Sequence, residues 1–131
     1  MNNFKIFFLL FVFTLTVSCQ KADDNGYLGA FWKLLEVEHH ADASKSDLRQ
    51  QSLFMAVQLN LMQFGGNGLH YARFRHCGDS LFVQMIGDDF KNDFLRSFGM
   101  NGPEQRFFVR TLNENCLILE SEYSRLRFKK F

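Results

Sequence analysis

From Leu53 to Phe131, apolar and polar side chains alternate in short runs, and turns rich in Gly, Asn or Asp separate the runs. A period of two sends one face of each run to a core and the other to water, which specifies strands rather than helices. Gly29–Glu38 opens the pattern. Ala30, Trp32 and Leu34 share one face, and Phe31, Lys33, Leu35 and Val37 share the other. Leu53–Phe64 continues it as one long strand, with Leu53, Met55, Val57, Leu59 and Leu61 on a single face. Gly65-Gly66-Asn67-Gly68 turns the chain, since Gly and Asn tolerate positive φ. Leu69–Arg75 returns with His70, Ala72 and Phe74 opposite Tyr71, Arg73 and Arg75, and Leu81–Ile86 follows. Gln105–Leu112, Cys116–Glu122 and Ser124–Phe131 complete the set.

Two segments break the alternation. His39–Ser52 is polar and long for a hairpin connection, which suggests a helical turn or a lid. In Gly87–Gly99, Phe90, Phe94 and Phe98 fall four residues apart with Leu95 beside them, which predicts a short helix near 89–98. Asp88 or Asp89 can cap its start and Gly99 its end. Seven antiparallel strands plus this helix predict an all-β, up-and-down barrel. Such a barrel closes only on an even count. An eighth strand is therefore sought within 41–52 or 90–100, or the barrel stays open there. Of the seventeen Phe residues, the twelve from Phe31 onward suit an aromatic-filled core. Trp32 is expected to be buried at one end.

The N-terminus carries an address. Met1–Lys5 precedes an apolar run from Ile6 to Leu15, interrupted only by Thr14, and Leu15-Thr16-Val17-Ser18-Cys19 ends it before the chain turns polar. A short charged start, a short apolar core and small residues before a cut site describe an export signal. Ending on Cys makes it look like a lipoprotein signal, although Leu is commoner than Thr three residues before the Cys. Residues 1–18 would be removed, Cys19 would bear lipid, residues 19–27 would form a tether, and 28–131 the domain. The expected setting is the cell envelope, lipid-anchored at the outer membrane. Asp23 and Asp24 also resemble a surface-export signal. The formal net charge is +1, and Lys5 leaves with the signal. A balanced domain argues against nucleic acid, which needs a basic stripe. Cys77 and Cys116 remain, either as a disulfide suited to an oxidising compartment or as two buried thiols. In a seven-strand meander both fall at one end, with His39–Ser52. The Gly65–Gly68 turn, the helix and the tether then share the other end.

The Gly29-Ala30-Phe31-Trp32 opening, the helix ending at Phe98-Gly99 and the closing patterns Phe107-x-Val109-x-x-Leu112, Leu117-x-Leu119 and Leu126-x-Phe128 carry a resemblance. The chain resembles the lipocalin-like domains, of unassigned function, found in bacterial surface lipoproteins. It departs from them in having two residues between Gly29 and Trp32 instead of one, and seven strands instead of eight. The resemblance implies a calycin-type barrel with a cup for a small apolar ligand. Its lining would be Trp32, Val57, Phe74, Val83, Val109 and Leu119. An open pocket there favours ligand carriage. A packed interior favours an accessory protein or inhibitor that docks a protein or glycan through its loops or outer face.

No catalytic pattern emerges. His39, His40, His70, His76 and Cys77 lack metal-ligand spacing, and adjacent strand histidines point to opposite faces. They read as surface and turn histidines. Asp88, Asp89 and Asp93 lack the alternation of a calcium loop. Neither Gly-x-Ser-x-Gly nor a Cys–His signature occurs. The expectation is a non-enzyme with no cofactor and no metal. Arg73, Arg75, Arg125, Arg127, Lys129 and Lys130 fall on outward positions, either as a basic patch or as an ordinary solvated exterior.

Overall fold

The computed structural model describes residues 25–66, 68–87 and 92–131. The predicted signal, Cys19, Asp88, Asp89 and Phe90 lie outside these residues. Among the described residues nine strands form: β1 (Phe31–His39), β2 (Ser44–Asp47), β3 (Phe54–Gln58), β4 (Leu61–Gly65), β5 (His70–Cys77), β6 (Ser80–Met85), β7 (Glu104–Leu112), β8 (Cys116–Glu120) and β9 (Ser124–Lys130). One short helix, α1 (Asn92–Ser97), lies between β6 and β7.

Successive strands pair antiparallel from β3 to β9, and β1 pairs with both β3 and β9. That closes an eight-strand barrel. β2 is a ninth strand. It lies beside the outer half of β1, pairing Ser44–Asp47 with Glu36–His39, on the side where β3 pairs only with Phe31–Lys33. The segment 41–52 does hold a strand, but that strand does not close the barrel.

The count becomes even elsewhere. The expected strand Leu53–Phe64 is two strands, folded at Leu59-Asn60 so that Gln58 pairs with Leu61. Before this turn Leu53, Met55 and Val57 face inward. After it the inward residues are Met62 and Phe64, while Leu59 and Leu61 are exposed. Leu59 adopts φ 56, a region that β-carbon sterics disfavour by about 1–2 kcal/mol. Leu59→Gly removes that strain but adds chain entropy to the unfolded state, so a net gain of about 0.5–1 kcal/mol is expected. Urea midpoints at constant slope measure it, and a loss of stability would show that the Leu59 side chain matters to the turn.

The new turn also reassigns the barrel ends. The turns at Leu59-Asn60, Gly78-Asp79 and 113–115 lie at the end where β1 begins, and the chain enters there from Asn25. The 40–53 segment, Gly66 and Gly68 between β4 and β5, α1 and the 121–123 turn lie at the far end. The helix therefore shares an end with His39–Ser52 instead of with the tether, contrary to the seven-strand expectation. Cys77 and Cys116 do share an end, but it is the one where β1 begins, the expected tether end. Cys116 carries a free thiol, so the bridge between them is not formed. β6 and β7 stand between their strands, and three inter-strand steps of about 4.8 Å exceed the Cα reach of a disulfide.

Bulges adjust which residues enter the core. The β1–β9 register shifts between Leu34 and Glu36, so Trp32 and Leu34 point inward, then Val37. A second shift in β7, between Val109 and Thr111, leaves Arg110 on the outside. Inward side chains from every barrel strand join with Leu28, Leu48, Phe94, Leu95, Phe98 and Met100 into one core.

Candidate functional site

The inside of the barrel is filled. Trp32, Leu34, Met62, Ala72, Leu81 and Leu117 are 0% exposed, and Leu119 and Phe128 are 1%. A ligand-sized void would leave accessible surface on the side chains around it. Of the predicted lining, Trp32, Val57, Val83 and Leu119 are buried in this core, and Phe74 and Val109 are half-buried against it.

The tether end is sealed by the residues just before β1. Gly26–Leu28 form a single 3-10 turn with Leu28 fully buried, and the Trp32 indole N–H donates to the Leu28 carbonyl at 3.0 Å. Asn25 donates its side-chain amide to the Leu59 carbonyl at 2.7 Å. The far end is plugged by α1. Phe98 stands edge-on to Phe64 at 4.9 Å, and the His70 ring lies 3.9 Å from that of Phe94. Gly99 ends the helix at φ +65, with Gly99 N–H donating to Arg96 and Met100 N–H to Leu95, a Schellman closure. The Ser124 hydroxyl donates to the Gly99 carbonyl. Beside the plug remains a recess of about 290 Å³ between Val37 and His39 of β1, Ser46 and Leu48, and Asp93, Arg96 and Ser97 of α1. In the same segment, Arg49 grips Asp47 through its guanidinium and backbone N–H. These bonds hold the Asp47 carboxyl down at about 2, so it stays charged at any physiological pH.

The larger concavity, about 540 Å³, lies on the wall of β5, β6 and β7. Register places Arg73, Gln84 and Glu104 in one row and Arg75, Phe82 and Arg106 in another, with Phe74, Val83 and Gln105 as the row between. The Arg75 guanidinium lies 4.8 Å from the Phe82 ring centre and that of Arg106 5.5 Å from it. Arg106 also covers Phe108 at 4.9 Å, and Arg110 reaches the same ring at 5.4 Å. Arginine and phenylalanine thus alternate across the wall from Arg75 to Arg110. Stacking fixes each guanidinium plane while its N–H edge stays available to an oxyanion. Arg110 is already paired with Glu120 at 2.8 Å, and Arg106 donates to the Ser80 hydroxyl at 3.1 Å. Among the described residues no carboxylate comes within ion-pair distance of Arg73, Arg75 or Arg106. The Glu104 carboxylate instead accepts from the Gln84 amide at 3.5 Å.

The expected basic patch divides in two. Arg73 and Arg75 line this groove on β5, whereas Arg125, Arg127 and Lys129 belong to β9, across the barrel, where Arg127 reaches Glu36 at 3.7 Å. Arg106 was missed as a groove residue, although the alternation Arg106-x-Phe108-x-Arg110 marks it as outward. The histidines are dispersed. His40 faces Glu120 at 3.5 Å and His39 stands edge-on to Tyr123. His76 is neither a surface nor a turn residue: it is buried in the barrel wall, and its Nδ1 lacks a hydrogen-bond partner. Among the described residues no three His, Cys, Asp or Glu side chains gather as metal ligands.

The family model of a lipocalin-like domain matches residues 11–131. A lipocalin-like protein from Bacteroides uniformis ATCC 8492 has a similar structure, with TM-score 0.66 and 21% identity, over 81% of this chain and 100% of that one. An uncharacterized protein from Bacteroides eggerthii DSM 20697 follows at TM-score 0.59 and 18% identity, over 78% of this chain and 98% of that one. No curated protein sequence matches the chain. Eight antiparallel strands closed into a barrel, a single short helix at its far end and a family match spanning most of the sequence agree: the chain belongs to the lipocalin-like domain family.

Proposed function

We propose that this protein is a lipid-anchored binding module of the cell envelope, and that it holds an anionic saccharide on its outer wall while the barrel core serves as scaffold. The observation that carries this reading is the groove in which Arg75 and Arg106 flank Phe82, on a barrel whose core side chains are closed to solvent. Preorganised guanidinium edges suit carboxylate or sulfate groups. Glu104 and Gln84 among them suit sugar hydroxyls, and Glu104 would repel a strand with a phosphate at every step. Exposed Phe108 offers a ring face for sugar C–H groups. The role is binding without catalysis.

Titration calorimetry with an oligogalacturonate and with a sulfated disaccharide tests the groove. Binding should weaken with salt and fall by about tenfold or more in Arg75→Gln/Arg106→Gln, each lost pair being charge-assisted. No binding by the parent, or equal binding by the folded variant, would refute the groove reading. The anchor is tested separately. Cys19→Ala should leave the precursor uncleaved or free of lipid, and unchanged partitioning into detergent would refute acylation.

A second reading, carriage of a small apolar ligand, is supported by the family fold and by the recess beside α1, whose floor is the buried Val37 and Leu48. It requires the α1 plug to move off the barrel mouth.

A further inference from the structure

Large exposed apolar side chains cluster at the tether end. Phe31 is 41% exposed and Phe131 73%, with ring centres 5.0 Å apart and edge to face. Phe54 stacks on Phe31 at 4.6 Å. The Phe131 N–H donates to the Phe31 carbonyl at 2.9 Å, so the chain terminus is held in place to present its ring. Tyr27 and Leu59 are both more than half exposed at this end, and the Asn25 bond to Leu59 brings the incoming chain beside them. Exposed aromatics stacked on one another gain nothing from the core, so such a patch marks a contact surface.

Basic residues border the patch. Lys129 and Lys130 are exposed next to Phe131, and Lys33 pairs across the sheet with Lys129. Among the described residues none of these lysines has an ion-pair partner. Glu114, in the turn beside β9, makes no ion pair with them. Aromatic rings ringed by lysine, next to the point where a lipid-bearing residue attaches, are the chemistry of a bilayer interface.

We propose that this face docks onto an anionic lipid surface and sets the barrel's orientation on the membrane. The inference rests on the lipid-anchor reading for its setting. Five residues separate Cys19 from Asn25. Even fully extended, that stretch spans no more than about 20 Å, so a lipid on Cys19 keeps the tether end close to the headgroups. In the ring order of barrel strands, β1 stands opposite β6. Seating Phe31 and Phe131 in the interface therefore turns the Arg75–Phe82–Arg106 wall away from the membrane, toward soluble ligands.

The test uses the mature chain without lipid, residues 19–131 carrying Cys19→Ser, and vesicles of phosphatidylethanolamine with phosphatidylglycerol. The protein should co-sediment with them at low salt, more weakly at high salt and more weakly on phosphatidylcholine alone. Phe31→Ser/Phe131→Ser should reduce binding by about tenfold or more, from the apolar area withdrawn. Phe131→Ser alone, at the solvated terminus where folding is not at risk, should reduce it by a smaller factor. Lys129→Gln/Lys130→Gln should remove the preference for anionic lipid, and Arg75→Gln should change nothing. Failure of the parent to bind these vesicles, or undiminished binding by the Phe variants, overturns the proposal. Because no acyl chain is present, these outcomes are independent of whether Cys19 is acylated in the cell.

Discussion

Trp32→Ala is expected to destabilise the protein by about 3–5 kcal/mol. Trp32 is fully buried and closes the tether end of the barrel against Leu28, which is also fully buried. Its truncation removes the largest side chain of the core, leaves a cavity between β1 and the 3-10 turn, and strips the Leu28 carbonyl of its indole donor. The carbonyl would then be a buried acceptor without a partner, adding about 1–3 kcal/mol if water cannot reach it. Domains of this size have only about 5–15 kcal/mol of stability, so the urea midpoint should fall steeply. A loss below about 1 kcal/mol would contradict the packing described here. Trp32 is also the single tryptophan, so native fluorescence reports on it alone. Emission at the wavelength of indole in water would contradict its burial.

Gly99→Ala is expected to cost about 3 kcal/mol, which is unusual for so small a change. Two effects combine. The residue sits at φ +65, where a β-carbon is strained, and that carbon would overlap the Leu126 side chain and the Ser124 hydroxyl. Neither neighbour yields easily, because Leu126 is core and Ser124 is fully buried and bonded to the Gly99 carbonyl. The change loosens the Schellman closure and with it the seat of Phe94 and Phe98 on Phe64. Gly78 provides the control. Its φ is +57 and nothing lies within 4 Å of its added carbon, so Gly78→Ala should cost only the backbone strain, about 1–2 kcal/mol. Equal losses at the two positions would show that the helix plug is not packed against β9.

Much of this fold is legible in the chain, because β5 to β9 obey a period of two between well-marked turns and α1 repeats its Phe residues on one face. What misleads is local. Leu59-Asn60 lacks the Gly that marks tight turns, and Leu59 and Leu61 continue the apolar alternation, so a reversal there looks like an uninterrupted strand. The leucines are in fact on the outside, and the inward set restarts at Met62. That single hidden turn hides a strand and moves the helix to the other end of the barrel. Ser44–Asp47 has no apolar face, because β2 needs only the hydrogen bonds of β1. The bulges at Leu35 and Arg110 shift parity with no residue type to announce them. The groove is harder to read still. Arg75 and Phe82 face each other across one hairpin, but Arg106 comes from a strand beyond α1, and the three meet only through the register of three strands, which alternation alone does not fix.

On the proposed reading the barrel is a filled scaffold whose binding surface is external. Methyl NMR of the methionines, with N-phenyl-1-naphthylamine added as a neutral apolar probe, tests it most directly. Met55 and Met62 are buried at 1% and 0% exposure inside the barrel and would sense any occupant of its core. With the core filled, their resonances stay fixed as the probe is added, and the probe's fluorescence does not rise in a saturable way. Saturable shifts of the Met55 and Met62 methyls, with matching fluorescence, would place an apolar ligand inside the barrel and contradict it.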